Sequence, residues 1–323
     1  MSDVQVLSKL NDLLGTVLEN EPLAKHTTLR IGGPARYWYD ATHSDDLIKA
    51  VEAAKELGLD YVLLGAGSNI LVSDQGFDGL VIHAKNDNMR LQGEKLYVEA
   101  GVMNAQAAKE TVNAGLSGLE WLASILGTIG GAIYGNAGCY GHSIKDVISK
   151  VDIYREGAKK RLSKKECQFG YRDSIFKKSN DIILSAEMIL EPGEKSKSLK
   201  MMEDYLNKRR ETQPLGQSSA GSTFKNFKYY DDKDIEILKQ KVKDIPTEFL
   251  TKRVIPAGWL IEQVGGKGME MGDLQVSDVH ANWIINNGKG RGDQFIQLVS
   301  KIKMLVRDEL GIQLQEEIQY IGF

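Results

Sequence analysis

The apolar positions of this chain change their spacing along its length, and the changes predict a mixture of helices and strands. Leu7, Leu10, Leu14 and Leu18 recur every three or four residues, so residues 4–18 read as an amphipathic helix that ends near Pro22. Residues 35–40 follow a Gly-Gly-Pro turn and carry Tyr37, Trp38 and Tyr39, aromatic side chains that favour strand. Ser44 then reads as a helix cap, with Asp45 and Asp46 in the first turn where acids complement the dipole, and Gly58 closes that helix. Strands are predicted at 61–64, 80–83 and 95–99, a helix at 106–113, and strands again at 151–154, 161–163 and 181–190. Residues 196–212 form a charged helix, and residues 257–263 a second helical stretch. A long closing helix spans 292–310, with Phe295, Leu298, Ile302 and Leu305 on its apolar face and Gly311 as its stop. Residues 312–321 alternate like a final strand.

This pattern predicts an α+β protein. At 323 residues the chain exceeds one compact core, so two or three domains are expected. The sharpest break is Pro214-Leu215-Gly216, at the end of the charged helix. No internal repeat or low-complexity tract is found.

Composition narrows the class. A hydrophobic content of 42% with 26% charged residues is that of a globular protein with ample apolar surface to bury. The net charge of -3 gives no electrostatic footprint for nucleic acid, whose binding depends on neutralising phosphates. Local basic clusters, 159–161 and 208–210, can still meet a small phosphorylated ligand. The two cysteines, Cys139 and Cys167, have no ligand spacing, and the five histidines form none either, so no metal site is expected. The amino terminus lacks a basic segment followed by an apolar core, and no long apolar run occurs, so a cytoplasmic protein with no membrane partner is expected. Nothing in the sequence points to an obligate protein partner.

Candidate chemistry begins with two glycine-rich runs. Leu126 to Gly141 is so dense in glycine that its backbone, not its side chains, carries the information, and Gly65-Ala66-Gly67-Ser68-Asn69 is a second such run. Residues without a Cβ let main-chain N–H groups approach a ligand closely, which suits a phosphate or a flat ring system; tight turns beside close-packed elements are the plainer alternative. The shorter run follows a strand, as in a dinucleotide-binding Gly-x-Gly. The third glycine of that fingerprint is absent, because Ile70 stands there, and residues 70–74 are β-prone where a helix should start. A strand–turn–strand can nevertheless hold a pyrophosphate in a nest of N–H groups.

Three polar residues sit in unusual company: Arg172 after Gly170-Tyr171, Ser222 after Gly221, and Glu317 beside Glu316 in the final strand. Taken singly, each reads as a turn or surface residue. Glu316 and Glu317 face opposite sides of a strand, so at most one points into a given site. No Gly-x-Ser-x-Gly elbow is present, which weighs against a serine hydrolase.

Together, residues 65–72 (GAGSNILV), 127–132 (GTIGGA), 135–141 (GNAGCYG), 171–174 (YRDS), 221–226 (GSTFKN) and 317–322 (EIQYIG) resemble the UDP-N-acetylenolpyruvoylglucosamine reductase (MurB) family. The resemblance runs from about Leu23 to Gly322 and is to the branch lacking an extra tyrosine-bearing loop. It implies a two-lobed FAD-binding region of the vanillyl-alcohol-oxidase/PCMH type followed by an α/β substrate domain. The lobes would be 1–86, with the returning strand 312–323, and 87–212; the substrate domain would be 213–311. The implied reaction is reduction of the enolpyruvyl group of a UDP-sugar in peptidoglycan synthesis, with FAD as cofactor and NADPH as co-substrate. Hydride reaches the β-carbon through the flavin, and a proton reaches the α-carbon from Ser222. Arg172 and Glu317 would stabilise the enolate-like charge, and a raised pKa is expected for Glu317 beside the substrate carboxylate. FAD contacts are implied for Gly65, Ala66, Gly67, Ser68, Asn69, Ile70, Gly127, Thr128, Gly130, Gly131, Asn136, Gly138, Tyr140 and Ile183. Substrate contacts are implied for Tyr171, Lys225, Asn226 and Gln263, and for Arg209 or Arg210 at the diphosphate. The chain departs from the family pattern at Ile125-Leu126, where Ile-Pro is usual, and at Cys139, Phe227 and Asp273, which bears on loop geometry more than on reaction class. Another FAD-dependent oxidase of the same fold and a non-catalytic nucleotide-sugar binder are the alternatives.

Overall fold

A computed structural model describes residues 2–323; Met1, part of the amino-terminal stretch read above, lies outside them. The chain forms two compact units, each assembled from three segments. The first comprises residues 2–21, Ala35–Ala66 and Phe77–Glu211; the second comprises Pro22–Pro34, Gly67–Gly76 and Thr212–Phe323. Most of both expected lobes therefore falls in the first unit, while residues 22–34 and 67–76 of the expected first lobe fall in the second. Residues 312–323 belong there too, because strand Gln319–Ile321 pairs in parallel with Ile70–Val72, which is also in the second unit.

The first unit contains two sheets. One has the order Leu18–Pro22, Pro34–Ala41, Phe77–Ala84, Tyr61–Leu64. The last three strands run parallel. Helices Asp3–Leu14 and Ser44–Glu56 supply Val6, Leu10, Leu47, Ala50, Val51 and Ala54 to a core with Tyr37, Tyr39, Leu80 and Ile82. The other sheet is antiparallel, in the order Ala158–Ser163, Ile148–Arg155, Ile182–Ile189, Lys95–Glu99, Met89–Gln92. Its alternating inward residues, among them Leu96, Val98, Val151, Ile153, Ala186 and Met188, meet Ala107, Ala108, Trp121, Ile129 and Ile133. Burying such side chains stabilises by roughly 1.5–3 kcal/mol each.

In the second unit, an antiparallel sheet has the order Ser218–Ser222, Trp283–Asn286, Leu274–Val276, Glu270–Met271. Helix Gly292–Leu310 lays Phe295, Leu298, Ile302 and Val306 over Leu260, Ile261, Leu274 and Val276. Val306, not Leu305, is the fully buried residue of its last turns. Gly311 at φ 72° ends the helix as expected, its N–H donating to Arg307 O at 2.9 Å.

Other expectations shift by physical detail. The first helix stops at Leu14, since Gly15 adopts φ 87° and donates to Asn11 O; Leu18 opens an exposed strand instead of extending the apolar face. Ser44 is the first helical residue, and its predecessor His43 occupies the cap position with its N–H donating to Asp46 Oδ2 at 3.0 Å. Of residues 312–321, only Gln319–Ile321 form a strand. The long glycine run contains a helix, Ile129–Gly135, that apolar spacing did not announce. Among the described residues no helix is long and apolar enough to cross a membrane.

Candidate active site

The turn after strand Tyr61–Leu64 is built around main-chain amides. Gly67 takes φ 60°, and an added Cβ there would lie 2.0 Å from His26 O, so no other residue fits. Thr28 N–H donates to Gly67 O at 3.0 Å, pinning the turn from outside. Among the described residues, the N–H groups of Gly65, Ala66, Gly67 and Asn69 donate to no protein acceptor. Four neighbouring donors left open around a left-handed glycine are the makings of an anion nest, which fits a pyrophosphate. Ile70 then enters strand Ile70–Val72, as the failure of the dinucleotide fingerprint predicted.

The longer run is of another kind. Thr128 caps helix Ile129–Gly135, its side chain accepting from Gly131 N–H at 3.3 Å. Ile129 N–H donates to Val102 O at 2.9 Å and Gly130 N–H to Ala100 O at 2.8 Å, so the first amides of this helix are already engaged by the protein. A Cβ at Gly130 would lie 2.8 Å from Ala100 Cβ, and one at Gly138 would lie 2.4 Å from His142 O. Gly65 belongs with these, because its Cβ would meet Thr128 Oγ1 at 2.7 Å. Gly131 differs: it is exposed, and its Cβ would find nothing nearer than 3.6 Å. Gly127, at φ 144°, is buried, as is Ile183, which sits in the sheet core rather than at an open surface.

Residue 172 lies on the same unit. Gly170 and Asp173 form a tight bridge, and Arg172 between them is held at φ 53°, a conformation costly for a residue with a Cβ. Its guanidinium Nη2 donates to Gly138 O at 2.7 Å, and its carbonyl accepts from Lys177 Nζ at 2.9 Å. The buried Asn136, itself at φ 43°, donates through Nδ2 to Gly170 O at 2.5 Å and accepts from Lys145 N–H at 3.3 Å. Its side chain thus braces the Tyr171-Arg172 turn. Tyr171 is exposed, with the Arg172 guanidinium 5.5 Å from its ring centre.

Helix Lys195–Thr212 faces the same glycine run. Tyr205 stacks on Tyr140 at 5.1 Å between ring centres, and Lys208 Nζ lies 5.7 Å from the Tyr140 ring. Burial raises the Tyr140 pKa, and the neighbouring Arg209 acts in the opposite sense. Arg210 instead reaches Asn207 Oδ1 at 3.0 Å along its own helix. Of the two arginines, Arg209 is the one beside the glycine run. The helix is anchored by Ser198, its one buried residue, which donates to the buried Glu120 at 2.6 Å. Burial opposes charge on that carboxyl, but hydrogen bonds from Ser198 and Gly118 N–H prevail and hold its pKa below the ordinary value.

The second unit carries the other polar residues. Strand Ser218–Ser222 pairs with Trp283–Asn286, with an irregularity between Ser219 and Ser222 and φ 76° at Gly221. Directly after Ser222, Thr223 O accepts from Glu317 N–H at 2.8 Å, and Lys225 N–H donates to Gln315 O at 2.8 Å. Asn69 Nδ2 donates to Glu317 O at 3.2 Å. Backbone pairing thus brings Ser222, Lys225 and Glu317 together, and the Asn69 side chain joins them at Glu317 O. The Glu316 carboxyl accepts from Lys303 Nζ at 2.7 Å. Asn226 accepts from Ala257 N–H at 3.2 Å at the start of helix Ala257–Gln263, and exposed Gln263 is its last residue, about 9 Å of helical rise away.

Comparison with known proteins decides the family. Residues 213–321 match the model for the UDP-N-acetylenolpyruvoylglucosamine reductase C-terminal domain, and residues 36–157 match an FAD binding domain. The UDP-N-acetylenolpyruvoylglucosamine reductase of Solibacter usitatus is 36% identical over 95% of this chain and 97% of its own length. The chain belongs to this reductase family. The Carboxydothermus hydrogenoformans reductase is 38% identical over 95% of this chain and 94% of its own length. The crystal structure of the Thermus caldophilus reductase (MurB) superposes with a TM-score of 0.75 at 30% identity, covering 95% of this chain and 98% of that one. The α+β fold with an FAD-binding region is therefore that of the MurB family.

Sequence patterns do not reveal the bracing role of Asn136 or the Glu120–Ser198 anchor. Each acts by a hydrogen bond to a distant segment, and no local spacing encodes that.

Proposed function

We propose that this chain is a UDP-N-acetylmuramate dehydrogenase: it reduces the enolpyruvyl group of UDP-N-acetylglucosamine enolpyruvate to the lactyl ether of UDP-N-acetylmuramate, in the cytoplasm, with NADPH as reductant. When bound, FAD supplies a two-electron carrier between NADPH and the β-carbon of the substrate. The nest at 65–69 holds the cofactor's pyrophosphate, and Gly131 offers a surface without a side chain to it. Addition of hydride at the β-carbon leaves negative charge on the α-carbon and the adjoining carboxylate. Arg172 stabilises that charge, its guanidinium fixed by Gly138 O and its backbone preset at φ 53°. Ser222 gives its hydroxyl proton to the α-carbon, and Glu317 adjoins it through the hydrogen bond to Thr223. Arg209 meets the substrate diphosphate, with Lys225, Asn226, Gln263 and Tyr171 as further contacts.

The observation that carries this reading is the 2.8 Å bond from Glu317 N–H to Thr223 O, which draws two of the three reacting residues from remote parts of the sequence to adjacent positions. Ser222→Ala is expected to leave flavin reduction by NADPH unchanged and to slow reoxidation by the UDP-enolpyruvyl sugar by about 10²- to 10⁴-fold. Equal slowing of both half-reactions, or turnover with oxygen that ignores the sugar, would overturn it.

A further inference from the structure

We infer that Asn282 is a positioning residue for Ser222. The inference rests on the reading of Ser222 as proton donor. Asn282 is only 4% exposed, and it grips the two residues that follow Ser222 by three bonds. Its carbonyl accepts from Thr223 N–H at 2.8 Å; its Oδ1 accepts from Phe224 N–H at 2.9 Å; its Nδ2 donates to Phe224 O at 2.8 Å. The last two form a closed pair between a carboxamide and a peptide unit, imitating the reciprocal bonds of an antiparallel ladder.

The imitation is needed at this point. Ser222 is opposite Trp283, the ladder is irregular just before it, and Gly221 bends the chain through φ 76°. A strand leaving a bulge has lost the register that would otherwise fix its direction. On its other edge, residues 223–225 are held by Glu317 N–H and Gln315 O. Asn282 closes the opposite edge, so the backbone that carries the Ser222 hydroxyl is gripped from both sides. Asn282 is itself fixed, since its N–H donates to His280 Nδ1 at 3.2 Å. Burial lowers the His280 pKa, keeping the ring neutral and that nitrogen an acceptor. Removing the carboxamide would leave the Phe224 N–H and C=O buried without partners and let the hydroxyl drift, and a misplacement of about 1 Å at a reacting group costs on the order of 10²-fold in rate.

The test uses the flavin-loaded enzyme with Asn282→Ala and the near-isosteric Asn282→Asp, which keeps an acceptor for Phe224 N–H but cannot donate to Phe224 O. Both are expected to retain full flavin content and the wild-type rate of reduction by NADPH. Both should slow reoxidation by the UDP-enolpyruvyl sugar by on the order of 10²-fold. In a Ser222→Ala background the same substitutions should add no further loss, because the group they position is gone. A full additional loss in that background, or equal slowing of both half-reactions, overturns the inference. Failure of Ser222→Ala alone to slow reoxidation defeats the proton-donor reading and is a separate result. Should the Ala variant not fold, hydrogen exchange of the wild-type Phe224 amide still decides: strong protection is expected, and exchange at the rate of an exposed amide overturns the grip.

Discussion

The two glycine-rich runs look alike in sequence and differ in what their glycines do. In the turn at 65–69, four N–H groups have no protein acceptor among the described residues, and the left-handed Gly67 is wedged against His26 O. In the run at 127–141, the first amides of the helix are engaged by Val102 O, Ala100 O and Thr128 Oγ1, and Gly130 and Gly138 are required by contacts with the protein's own backbone and methyl groups. The first run offers donors to a ligand. The second packs closely against its own chain and braces Arg172 through Gly138 O and Asn136. Glycine density alone therefore says that something approaches closely, and only the donor bookkeeping says whether that something is a ligand or the rest of the chain.

Substitutions can break this contrast. Gly67→Ala should have the largest effect, since it meets both an unfavourable φ and a backbone oxygen; a loss of about 3 kcal/mol or more and an unloaded protein are expected by thermal unfolding and flavin absorbance. A protein of normal stability that still binds FAD would show that the turn yields easily. Gly138→Ala should cost about 2 kcal/mol by displacing His142 and shifting the carbonyl that receives the Arg172 guanidinium. Its signature is a slower reoxidation half-reaction with FAD affinity nearly intact. Gly131→Ala is the finest probe. Within a helix, and with space for the methyl group, it should stabilise the apo protein by about 0.5–1 kcal/mol while weakening flavin binding. Unchanged flavin affinity would remove Gly131 from the cofactor surface.

Much of the framework could be read from the chain itself. Helices 257–263 and 292–310 and strand 95–99 have the bounds that spacing and stop residues predicted, because Gly311 and the turn residues act locally. Helix Ile129–Gly135 is hidden in the sequence because glycine supplies no apolar stripe, and its cap, Thr128, is the one local signal of its start. The site was less legible. Six motifs identified the family, yet nothing in their spacing reveals that Asn136 serves the arginine turn or that Asn282 grips the residues after Ser222. Those roles depend on pairings across many intervening residues, which sequence patterns of short period cannot express.

Asn69 and Glu317 are 248 positions apart and joined by one side-chain bond, and the strand that follows each is zipped to the other in parallel. During synthesis on the ribosome, the early turn must therefore wait for almost the whole polypeptide to emerge before its exit strand finds a neighbour. Cofactor capture should accordingly be a late event of biogenesis, and nascent chains halted short of residue 319 should remain colourless.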